Sequence, residues 1–189
     1  NNKNVGSKVI MAMTLITTNP DSTDVASVSF TSGIDSTYKL YIFKFYDCNP
    51  ATDSAEFSFQ VSTNGGSSYG VATTSTAFYA YHDEADSATA GPTYNAAQDL
   101  AQGTAFMDIG YNIGNDADAS IAGEMFLFNP SNTTYVKHFY GTLQEYHESD
   151  MSFVTYFGGY VNTTSAVNAV QFKMNTGNMD GVIKMYGVG

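Results

Sequence analysis

A chain of 189 residues that is 43% hydrophobic is long enough for one domain with a sizeable core, and with only 13% charged residues its polar surface must come from Ser, Thr, Asn and Gly. Those types suit turns and strands better than helix faces, and 14 tyrosines with 13 phenylalanines add strand-forming side chains, so composition indicates an all-β fold. A formal charge of -11 and the absence of arginine, the usual bidentate clamp on phosphate and guanine, argue against nucleic acid and anionic membrane as partners.

No apolar run reaches the roughly 18 residues of a membrane span, and no signal peptide is readable. The chain opens on Asn1 rather than Met, which reads as processed or incomplete. Cys48 is the only cysteine, so it is expected to be a small buried residue beside a turn.

In chain order, the first expected strand is 9–16, possessing two apolar faces (Val9, Met11, Met13 and Leu15; Ile10, Ala12 and Ile16) and read as an arm. A short strand follows over 25–30, with Ala26, Val28 and Phe30 aligned. The organising strand is Tyr38–Tyr46. Leu40 and Ile42 mark one face and Tyr41, Phe43 and Phe45 the other, which predicts a central strand covered on both sides. Lys44 falls on the Leu40 face and therefore needs an acid partner, an edge or a subunit interface. Over 55–61, Phe57, Phe59 and Val61 alternate with Glu56, Ser58 and Gln60, a pattern that predicts one buried and one wet face. Asn64 to Ser68 reads as a hairpin turn, because it lacks the Lys-Ser/Thr ending of a phosphate loop.

After a strand over 77–81 the pattern dissolves into a long loop region, about 82–119, with a short helix expected over 94–102 and a brief strand over 106–109. Strands are then expected over 121–128, 135–146, 151–160, 166–174 and 182–186. Asn19-Pro20, Asn49-Pro50 and Asn129-Pro130 are expected to close strands. About eleven strands in one 1–189 domain predict an antiparallel two-sheet sandwich of jelly-roll type.

Several groups are candidates for chemistry. Asp116 and Asp118, then Asp83 and Asp86, are oxygen ligands in loops at the alternate spacing that calcium uses, although neither cluster matches an EF-hand. No close histidine pair suggests zinc, and His138 alternates with Val136 and Tyr140 on one strand face. The carboxylates are too scattered to nominate a glycosidase pair, and no Gly-x-Ser-x-Gly elbow is present. Tyr79, Tyr81, Tyr140, Tyr146, Tyr156 and Tyr160 lie on strands whose faces are not all needed for a core, and exposed tyrosines bind sugars and form protein interfaces.

Several separated segments carry a resemblance: Ser29-Phe-Thr-Ser-Gly-Ile-Asp-Ser-Thr-Tyr-Lys39, Ala80-Tyr-His82, Leu127-Phe-Asn-Pro130, Thr133-Thr-Tyr-Val-Lys-His-Phe139, Gly159-Tyr-Val-Asn-Thr-Thr-Ser-Ala166, Val170-Gln-Phe-Lys-Met174 and Gly181-Val-Ile-Lys-Met-Tyr-Gly187. Together, over about residues 25–189, they resemble virion structural proteins of tailed phages of marine bacteria, including cyanophages. The resemblance implies a non-enzymatic β-sandwich on the particle surface, as a capsid decoration or a tail-fibre/appendage module. It implies a homo-oligomer, taken here as a trimer, contacting other virion proteins. It carries no catalytic or cofactor residues. The alternatives are a carbohydrate-binding module for a host surface glycan and, behind it, a glycan hydrolase on the same scaffold.

Overall fold

A computed structural model describes residues 12–19 and 22–189, and these form only strands, turns and loops. The strands are β1 (Met13–Thr18), β2 (Ser22–Val25), β3 (Val28–Phe30), β4 (Leu40–Pro50), β5 (Phe57–Ser62), β6 (Thr73–Asp83) and β7 (Thr89–Tyr94). They continue with β8 (Ala101–Gly103), β9 (Met107–Asp108), β10 (Ile121–Phe128), β11 (Lys137–His147), β12 (Met151–Val161), β13 (Ala169–Met174) and β14 (Met179–Val188). Ten strands make one antiparallel sheet in the order β1-β14-β4-β10-β11-β12-β6-β7, with β2 on β14 and β8 on β6. The other four make a small sheet, β3-β13-β5-β9. The expected all-β, two-sheet antiparallel sandwich is what the chain forms, with very unequal sheets.

The inner faces meet around Phe172 of β13. Its ring lies 5.2 Å from Phe43 and 5.1 Å from Phe45 of the large sheet, and 5.8 Å from Phe57 beside it in the small one. Phe59 crosses the gap edge-on to Phe139 at 4.9 Å. Two glycines let this packing close. Gly141 faces Phe157 and Gly159 faces Phe139 across the β11–β12 ladder. A Cβ on Gly141 would collide with the Phe157 ring, and one on Gly159 would come 2.9 Å from the Phe139 ring, so each ring lies over a glycine backbone.

The organising strand sits where expected, between β14 and β10, with Tyr41, Phe43 and Phe45 buried. Its expected cover on both sides is corrected. Among the described residues, no second layer lies on the Leu40/Ile42 face. Ile42 is shielded within its own sheet, facing Phe126 on β10 and Tyr186 on β14. Lys44 is half-buried and ion-paired, with Nζ 2.7 Å from Glu124 Oε2.

The polar half of β5 is a second correction: Ser58, Gln60 and Ser62 are all buried. Gln60 shows why. Its Nε2 donates to the carbonyls of Val71, Thr104 and Ala105 at 3.3, 3.3 and 2.8 Å, so chain segments from outside the sheet cover the face that alternation alone marks as wet. The 64–68 turn is no hairpin, since β5 and β6 belong to different sheets.

The long loop region holds β7, β8 and β9, the last matching the brief strand expected at 106–109. No helix forms over 94–102. Asn95 starts a turn instead, with its Oδ1 accepting from Ala97 N at 3.2 Å and its carbonyl from Gln98 N at 3.3 Å. Pro50 lies within the last residues of β4, opposite Met179. Asn129 takes a φ of 45° just past β10. The first expected strand survives as β1, an edge strand paired with β14, while Val9 to Met11 and Pro20 lie outside the described residues.

Candidate functional site

Because the small sheet covers only one side of the large one, the alternate residues of β10, β11, β12, β6 and β7 face outward. Several of those positions are aromatic: Phe126 and Phe128 on β10, Tyr140 on β11, Tyr156 on β12, Phe78 on β6 and Tyr94 on β7. Register sets them in rows: Ile42, Phe126, Tyr140 and Gly158 follow one line across the strands. Thr142, Tyr156, Phe78 and Tyr94 follow the next. Two stacks result. Phe126 and Phe128 lie 4.9 and 5.6 Å from Tyr140 with planes 18° and 25° apart. Phe78 and Tyr156 lie 5.1 Å apart at 12°. Near-parallel rings at this spacing stand face to face along the strand-to-strand direction, so they present edges outward. Tyr140 (51% exposed), Tyr156, Phe78 and Tyr94 nonetheless remain open to solvent. Glu124, the acid bordering this belt on β10, is neutralised by Lys44.

A cavity lies at each end of the outer face. One, of about 500 Å³, is walled by His82, Glu84, Asp118 and Tyr146. The Tyr146 hydroxyl donates to Asp150 Oδ1 at 3.0 Å and is pushed up to about 12, chiefly by that bond, with Glu84 and Asp118 adding negative charge. The other, of about 490 Å³, lies under the 129–136 connection between β10 and β11 and is lined by Phe128, Tyr135, His138 and neutral polar residues.

The four acids singled out for calcium are not brought together. Asp83 and Asp118 line the first cavity, whereas Asp86 and Asp116 do not. The Asp83 carboxylate is occupied by its own turn, accepting from Ser87 N and Ala88 N, each at 2.8 Å, and from Ser87 Oγ. Asp86 pairs with His82 Nε2 at 3.1 Å. The Asp116 carbonyl accepts from Ala119 N at 2.9 Å and closes a turn. Among the described residues, no three His, Cys, Asp or Glu side chains form a set that could hold a metal ion. Cys48 is buried and its thiol is pushed up to about 12 by that burial, so it is a poor nucleophile.

The tyrosines divide between the two faces of the sheet. Tyr140 and Tyr156 are in the outer belt. Tyr79 and Tyr81 turn inward and stack on Phe153 at 4.7 and 5.8 Å, together with Tyr111 and His147. In the same stretch of sheet lies Glu145, a buried acid absent from the sequence-level candidates. Its Oε2 accepts from Tyr111 N at 2.6 Å, its Oε1 is buried without a partner, and burial pushes its carboxyl up to about 8. Glu56, expected in solvent, is half-buried and raised to about 7, first by burial and then by the charge of the neighbouring Asp108.

Tyr135 and Lys137 also escaped the sequence reading. Lys137 continues inward the alternation that puts His138 and Tyr140 outward, which is the signal that could have marked it as buried. Its Nζ donates to the carbonyls of Tyr135 and Thr163 at 2.7 and 3.1 Å, and desolvation pulls its pKa down. By class, then, this is an antiparallel β-sandwich whose larger sheet carries an aromatic face that no second layer of the described residues covers. No protein-family model matches the chain, and no curated protein matches it.

Proposed function

We propose that this chain is a non-enzymatic structural protein of a tailed-phage particle, a capsid decoration or tail-fibre/appendage module, that assembles as a homotrimer at the particle surface. The observation that carries the reading is the outer aromatic belt. A monomer gains nothing by holding Phe78, Tyr140 and Tyr156 in water, whereas burial between copies removes that cost. The rings stand stacked on one another with edges outward, which suits interdigitation with protein side chains better than stacking on a flat sugar. In a chain of charge -11, the pairing of Glu124 with Lys44 lowers like-charge repulsion between copies on the β10 side of the belt.

The belt carries two unlike stacks, Phe126/Phe128/Tyr140 and Phe78/Tyr156. Pairing one stack with the other stack of the next copy is heterologous, and such contacts close into a ring when the rotation between copies closes, here taken as threefold. The segments resembling marine-phage virion proteins support the location, and the arginine-free acidic surface suits a protein kept clear of a packaged genome. Cryo-EM of the particle tests this reading: the sandwich is expected as threefold density at the surface with the belt buried. Density with the belt facing solvent, or no copy on the particle, would overturn it.

A further inference from the structure

We infer that the cavity under the 129–136 connection is a binding site for a neutral hexopyranose. The cavity measures about 490 Å³, within the usual size of small-ligand sites. Its lining holds no Asp, Glu, Lys or Arg, although the chain carries 18 acidic residues. Asn129 and Asn132 supply amides, and Thr134 and Thr164 supply hydroxyls. Such groups both donate and accept, which matches sugar hydroxyls, and nothing among them would clamp a phosphate or carboxylate as arginine does.

Tyr135 provides the platform. Its side chain is 70% exposed, and among the described residues its ring stacks on no other, unlike Tyr140 and Tyr156 in the belt. A free tyrosine face beside amides is the arrangement that takes the C–H face of a pyranose while its hydroxyls find polar partners. Phe128 and His138 close the wall.

The site is already ordered. Asn132 Oδ1 accepts from Thr134 N at 2.7 Å and Tyr135 N at 2.8 Å, fixing the loop from one side. Lys137, buried beneath, holds the Tyr135 carbonyl from the other and ties it to Thr163, beside Thr164. A loop held this way loses little freedom on binding.

The test is ligand-observed NMR of the full chain with neutral methyl hexopyranosides (glucoside, galactoside, mannoside and N-acetylglucosaminide), with methyl glucuronide as the charged comparison. At least one neutral glycoside is expected to bind saturably at millimolar concentration. Tyr135→Ala weakens it about tenfold, Tyr135→Phe retains it, and Tyr46→Ala, at an exposed tyrosine on β4 outside both the cavity and the belt, leaves it unchanged. Circular dichroism of each variant confirms the fold, which an exposed loop residue leaves intact. Absence of binding by every neutral glycoside, preference for the glucuronide, or unaltered binding in Tyr135→Ala would overturn the assignment. Binding is read by NMR at Tyr135 and trimerisation by solution mass at Tyr140 and Tyr156, so either reading can fail alone although Phe128 belongs to both the cavity and the belt.

Discussion

Glu145 is the residue whose chemistry is most displaced by the fold, and it makes stability depend on pH in a definite direction. Its carboxyl is raised from 4.5 to about 8 by burial, and Glu56 from 4.5 to about 7 by burial and by Asp108. The folded chain therefore keeps protons that the unfolded chain releases above 4.5, so stability falls as pH rises through these values and levels off above about 8. His147 works the other way. Burial lowers it from 6.5, so its contribution is lost only as pH falls below that value. Between about 7 and about 8, Glu145 is the main group still releasing its proton, while Glu56 completes its own release. Urea unfolding across that window should show declining stability in the parent chain and a clearly shallower decline in Glu145→Gln, and an equal slope in both would refute the assignment. A glutamate flanked by Gln144 and Tyr146 looks like a surface residue until the inward phase of β11, set by Phe139 and Leu143, is known.

At the scale of elements, the core turns on Phe172 and on the glycines beneath the large-sheet phenylalanines. Phe172→Ala should cost about 3–5 kcal/mol in chemical denaturation, because five phenylalanine rings lose a partner and the two sheets cannot collapse onto the gap. Gly159→Ala should cost about 1–3 kcal/mol, since its Cβ must push both the β6 backbone and Phe139 aside; parent-like stability would show that the ladder gives more freely than its geometry implies. The strands of the last third were legible because alternation there runs long: β10 falls on the residues expected, and β11, β12 and β14 differ at their ends. Other features depend on distant segments. The polar side of β5 is sealed by carbonyls from residues 71, 104 and 105, which no local pattern reveals. The alanines of 94–102 suggested a helix, but Tyr94 pairs with Phe78 and Ala101 with Thr74, and these ladders draw the segment into strands joined by the Asn95 turn.

For the whole molecule, the decisive asymmetry is a ten-stranded sheet against a four-stranded one, which among the described residues leaves an aromatic face without a layer over it. Sequence supplied the aromatic content of both strand faces but not which face would lie outside, because that depends on how strands divide between sheets. It missed Tyr135 for a related reason: a tyrosine in a polar connection gains meaning only when the cavity beneath it is seen. The central claim is assembly through the outer belt, and solution mass tests it most directly. Multi-angle light scattering should give three chain masses for the parent, and a single chain mass for Tyr140→Lys/Tyr156→Lys with an unchanged circular dichroism spectrum. A parent that stays monomeric at high concentration, or a double variant that remains trimeric, would contradict the account.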